Sequence, residues 1–171
     1  MKKTAIVQKG FTLIELLIVI ALLGALAVGL LATIDPFEQL KKGRDTSQRN
    51  TLSEFYNANL RYYAIKAEFP WGVNGVTGTI NDLTADVEAL VNAGELKDKF
   101  TQLAGTGNLD KIYVTSTDAT HVSVCFVPES KSFQVDPNTM YATDGQLGGT
   151  DAGGCKTFDS TNGTDCAFCI Q

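Results

Sequence analysis

Four cysteines, one histidine, several carboxy-terminal aspartates and one glutamate inside an apolar run are the side chains of this 171-residue chain whose types and spacing could do chemistry. Cys166 and Cys169 have C-x-x-C spacing, which in a thioredoxin-like site opens a helix and lowers a thiol pKa. No strand-then-helix pattern precedes them, so thiol oxidoreduction lacks its scaffold. A four-cysteine zinc site would need Cys125 and Cys155 brought to that pair with every thiol reduced. Two disulfides among Cys125, Cys155, Cys166 and Cys169 are expected instead, one running from Cys125, in a strand-like segment, to a cysteine of the tail. Three connectivities remain open. Asp144, Asp151, Asp159 and Asp165 lie near glycines as oxygen ligands for calcium would. The order of an EF-hand loop and its closing glutamate are missing, and solvated turns are the expectation. His121, at the start of a strand-like segment, reads as a surface residue without an acid or nucleophile close in sequence. No metal, cofactor or catalytic residue is expected, and the chain does not read as an enzyme.

Glu15 is the exception among these residues, because it lies in a stretch, residues 11–34, where 19 of 24 side chains are apolar. As a helix this run would be about 36 Å long, enough to cross a hydrocarbon core of about 30 Å. Lys2, Lys3 and Lys9 precede it without an acid and hold the amino terminus in the cytoplasm, which places everything beyond Ile34 on the far side. A secretory signal cut near Ala25-Leu26-Ala27 is the simpler alternative. Apolar sequence continuing to Ile34 and a carboxylate inside the apolar region oppose it. A carboxylate at mid-membrane costs roughly 2.5–3.5 kcal/mol, less near an interface, so Glu15 needs a partner. The first helical turn favours a carboxylate through the helix dipole, and an amine from a neighbouring chain could pair with it. On this reading Glu15 is a charge that only a neighbour satisfies, which fixes register. Gly10, lacking a Cβ, would let a protease approach the backbone closely.

Lys9-Gly10-Phe11-Thr12-Leu13-Ile14-Glu15, after a short basic leader and before a long apolar helix, resembles the prepilin motif of type IV pilins and pseudopilins. The resemblance implies cleavage by a membrane-embedded prepilin peptidase between Gly10 and Phe11, and methylation of the new amino terminus at Phe11. It gives Glu15 the task of attracting the amino terminus of an adjoining subunit during filament assembly. Cleavage would remove three lysines and take the net charge from −5 to −8. The implied partners are other copies of the chain in a helical homopolymer, the peptidase, the membrane before assembly, and the pilus or secretion machinery of the inner membrane. Implied locations are the inner membrane first and then a cell-surface pilus or a periplasmic pseudopilus. The motif does not separate a pilus subunit from a pseudopilin of a type II secretion or competence system. A membrane-anchored extracytoplasmic binding module is a reading of a different class.

These residues must be positioned by three segments: a leader (1–10), a membrane or assembly helix (11–34) and an extracytoplasmic head (35–171). Leu52, Phe55, Tyr56, Leu60, Tyr63 and Ala64 recur at helical spacing, which predicts a spine from Phe11 to about Lys66, bent or interrupted near Gly24, Gly29, Pro36 and Gly43. A glycine-punctuated connection is expected over 69–78, then a short helix over 85–92 capped by Asp82 or Thr84 and ended by Gly94, then a further turn of helix over 95–103. Residues 111–115, 121–127 and 132–135 read as three strands of a small antiparallel sheet. The fold class is α+β, with the sheet packed on the amphipathic half of the spine, in line with the lollipop shape the resemblance implies. The tail, 136–171, reads as an irregular surface segment. Fourteen basic residues against nineteen acidic, with no basic and aromatic patch after residue 66, argue against direct nucleic-acid binding.

Overall fold

Strong helix formers fill residues 13–33, and in the computed structural model, which describes residues 10–33, 35–145 and 166–171, this stretch forms α1 (Leu13–Thr33). Gly24 and Gly29 sit inside it without interrupting it. Each costs about 1 kcal/mol relative to alanine, which the leucines and alanines around it outweigh. α2 (Pro36–Lys66) likewise runs through Gly43. The break expected near Pro36 is present. Proline occupies the first position of α2, where a missing N–H is no loss, and the Phe37 N–H donates to Asp35 Oδ1 at 3.1 Å as a cap. The chain divides into two compact units, Met1–Phe37 and Glu38–Gln171.

Within the second unit, Leu52, Phe55 and Ala58 of α2 are fully buried in one core with Ile112, Val114, Val124, Phe126 and Phe168. The last five belong to an antiparallel sheet of β1 (Val76–Thr79), β2 (Ile112–Ser116), β3 (Ser123–Phe126), β4 (Thr139–Tyr141) and β5 (Ala167–Ile170), in the order β1-β2-β3-β5-β4. The α+β class stands, but the sheet has five strands rather than three. Residues 76–79 form an edge strand where a loop is predicted. Two strands come from the tail, and one of them, β5, lies inside the sheet between β3 and β4. Arg49 of α2 stacks its guanidinium 4.7 Å from the Phe168 ring centre, holding β5 to the helix.

The helices between β1 and β2 are α3 (Thr84–Asn92), α4 (Phe100–Ala104) and α5 (Thr106–Leu109). Neither residue expected to cap α3 does so. Leu83 stands at the cap position without a side-chain bond, and the Asp82 carboxylate instead accepts the N–H and hydroxyl of Thr79 at 2.9 and 2.7 Å. The helix predicted over 95–103 starts later, at Phe100.

Residues 132–135, expected as a strand, fall in a short helix, α6 (Lys131–Gln134), for a reason that lies far away in sequence. Asp45 of α2 is completely buried and accepts the N–H of Glu129 at 2.9 Å and both the N–H and the hydroxyl of Ser130 at 2.8 and 2.5 Å. Glu38, two turns earlier, accepts the Lys131 N–H. Two carboxylates thereby satisfy the N–H groups that a helix start leaves free. Glu129 pairs in turn with Lys111 at 2.6 Å and Arg44 at 3.0 Å. Asp45→Asn puts an amide donor against buried donors. The expected loss is about 3 kcal/mol, and a fall in Tm of roughly 10 °C, read from Trp71 fluorescence, checks it.

Candidate functional site

The amino-terminal segment is built by the start of α1. Thr12 is the residue before the first turn, and its hydroxyl oxygen accepts the Glu15 N–H at 3.2 Å. Glu15 Oε2 reaches back and accepts the Thr12 N–H at 2.9 Å and its hydroxyl at 2.8 Å. This reciprocal pair is a capping box, the T-x-x-E pattern visible in Thr12 to Glu15. The reading of Glu15 as satisfied only by a neighbour is therefore corrected, since the chain's own first turn supplies two donors. Both donors fall on one oxygen. Oε1 accepts no hydrogen bond among the described residues, so the cap and a further donor are compatible.

Around this cap the surface is apolar on every side of the helix. Phe11 is 88% exposed, and Leu13, Ile14, Leu16, Leu17 and Ile18 follow it, all exposed. A helix apolar around its whole circumference belongs in a bilayer or a protein interior. At about 1.5 Å per residue, the 21 residues of α1 are about 31 Å long, and Leu13–Leu31 is long and apolar enough to cross a membrane. A Cβ at Gly10 would meet nothing within 4 Å, so the fold itself does not demand glycine there. Any demand for it comes from outside the chain.

Residues 7–31 match the family described as the prokaryotic N-terminal methylation motif. This is the type IV pilin and pseudopilin signature. The methylation motif covers Gly10, Phe11, Thr12 and Glu15 together with nearly all of α1, and implies self-polymerisation and processing by a prepilin peptidase. With one amino-terminal apolar helix, it fits a membrane-anchored prepilin. No curated protein and no solved structure matches the chain.

The other candidate residues lie elsewhere. Cys125 and Cys169 stand opposite each other on β3 and β5, their Cα atoms 4.1 Å apart, and form a disulfide. The expected bridge from Cys125 to the tail is thus present. Cys166 is also disulfide-bonded, so the C-x-x-C pair is not a dithiol, while Cys155 lies outside the described residues. Of the calcium candidates only Asp144 is described. Asp151, Asp159 and Asp165 lie outside the described residues. Among the described residues no group of three metal-ligating side chains occurs.

His121 is exposed, as expected, but it does have an acid at hand: its Nδ1 lies 3.0 Å from Oδ2 of Asp118, three residues before it. The Asp118 carboxylate also accepts the Thr120 N–H and hydroxyl and the His121 N–H, which hold its pKa well below the carboxylate range. Hydrogen bonds from Thr79 lower Asp82, and those from Lys111 lower Glu129. Burial raises Asp86.

A carboxylate depressed in the folded state stabilises above its unfolded pKa and loses that contribution as pH falls through the folded value. A raised one acts in the opposite sense. With Asp82, Asp118 and Glu129 lowered and only Asp86 raised, the Tm of the detergent-solubilised chain is expected to hold from pH 7 to about 5 and to fall below about pH 4. A Tm that rises on acidification contradicts this balance.

Proposed function

We propose that the chain is the structural subunit of a type IV pilus, cleaved between Gly10 and Phe11, methylated at Phe11 and polymerised through α1. The carrying observation is the match of residues 7–31 to the methylation motif, with Glu15 in the first turn of a helix that is apolar on all sides. On this reading residues 1–10 are a leader, 11–34 the membrane and assembly helix, and 35–171 the extracytoplasmic head. Moving α1 from lipid to a filament exchanges one apolar surrounding for another, so burial alone provides little driving force. Packing shape and charge pairing must decide. The cap leaves Oε1 of Glu15 open toward the amine of a neighbour's Phe11, and it fixes the carboxylate's direction before that neighbour arrives.

The partners are further copies, the peptidase and the inner-membrane assembly machinery, and the destination is the cell surface. A structural role accounts for the motif without catalysis. Immunogold electron microscopy with an antibody to the head tests the proposal. Uniformly decorated surface fibres are expected. Label confined to the envelope, without fibres, contradicts the proposal and favours a permanently anchored binding module, and short periplasmic fibres favour a pseudopilin.

A further inference from the structure

The outward face of the sheet holds a small polar groove that neither the core nor the assembly segment uses. In the β1–β2 register Thr77 stands opposite Thr115 and Thr79 opposite Tyr113, so these four side chains share one face. Val114, between two of them, points the other way into the core. The second wall comes from the turn after β4. Gly145 is pressed against β3 so closely that a Cβ there would lie 2.3 Å from the Ser123 hydroxyl, and this sets Thr143 and Asp144 over the sheet. With Asp82 these residues enclose about 170 Å³. That is well below the roughly 300–1,000 Å³ of pockets for drug-sized molecules, and suits a single ring.

The lining has uncommitted hydrogen-bonding groups. Thr115 is 9% exposed, and its hydroxyl has no hydrogen-bond partner among the described residues. The hydroxyls of Thr77, Thr143 and Tyr113 and Oδ1 of Asp82 make no hydrogen bond among the described residues either. A buried hydroxyl without a partner is unfavourable by about 1–3 kcal/mol, which a ligand recovers. The groove thus offers several hydroxyls that donate or accept, a carboxylate that accepts strongly, and one amphipathic aromatic ring. No lysine or arginine lines it, and two aspartates do.

We propose that this groove binds a neutral monosaccharide unit, whose ring hydroxyls meet Thr115, Thr77 and Asp82 while an apolar ring face lies on Tyr113. The carboxylates exclude sugar acids and phosphates by like-charge repulsion. The inference does not depend on filament formation.

Saturation-transfer NMR on the intact detergent-solubilised chain, with D-glucose, D-galactose and N-acetyl-D-glucosamine as separate probes at millimolar concentration, tests it. At least one neutral sugar is expected to receive saturation and D-glucuronate none. Thr115→Val, which keeps the shape and favours the strand, is expected to reduce the transfer at least tenfold with an unchanged Tm, as is Tyr113→Ala. Transfer to none of the three neutral sugars overturns the proposal. So does transfer that Thr115→Val leaves intact, or transfer that a chelator abolishes, which would place a cation rather than the hydroxyls at the centre of recognition.

Discussion

Glu15→Ala is expected to reduce surface fibres at least tenfold while leader removal continues. The acid is unfavourable in the membrane by up to roughly 2.5–3.5 kcal/mol, so alanine makes insertion easier, and a loss of fibres cannot arise from failed insertion. Loss of the cap is a smaller effect, about 1 kcal/mol for a box of this kind, and it acts on a helix of 21 residues whose remaining turns are unaffected. Charge pairing between copies is the only term large enough. Glu15→Gln separates the two contributions, because the amide oxygen still accepts from Thr12 but carries no charge. If pairing with an amine drives assembly, Gln is as deficient as Ala. Fibre counts by electron microscopy alongside the ratio of cleaved to uncleaved chain check both variants, and normal fibres from Gln would assign the role of Glu15 to the cap alone.

The second large effect is expected at the disulfide. Cys125 and Cys169 are 44 residues apart, and the chain-entropy treatment of such a loop gives about 4 kcal/mol. The bridge joins the interior strand β5 to β3, so its loss also frees the segment that carries Phe168 into the core. The double variant Cys125→Ser, Cys169→Ser is expected to lower the Tm by roughly 10 °C, read from Trp71 in the non-reduced, detergent-solubilised protein. An unchanged Tm would mean that strand pairing and the Arg49 to Phe168 contact hold β5 unaided.

The elements legible in the sequence are those whose pattern is local. α1 declares itself by unbroken apolar residues, α2 by Leu52, Phe55 and their helical spacing, and β2 and β3 by alternation about Val114 and Val124. The rest depends on partners far along the chain. Lys131–Gln134 is helical because Asp45 and Glu38 supply its amino-terminal acceptors, more than eighty residues away. Ala167–Ile170 is too short to announce a strand, and it becomes one through Cys125 and through pairing on both sides. Asp45 itself carries a signal, an acid placed seven residues before Leu52 on the core-facing side of α2. At the assembly segment, the residues of the methylation motif are readable at once, whereas the partnership of Thr12 with Glu15 is marked only by the T-x-x-E spacing beside the more conspicuous glycine and phenylalanine.

Intact mass spectrometry of material sheared from the cell surface is the most direct measure of whether this chain is processed and exported as a pilus subunit. The expected mass is that of residues 11–171 with one added methyl group and four hydrogens fewer for two disulfides. A sheared chain that retains Met1 to Gly10, or one cut near Ala27, would contradict it.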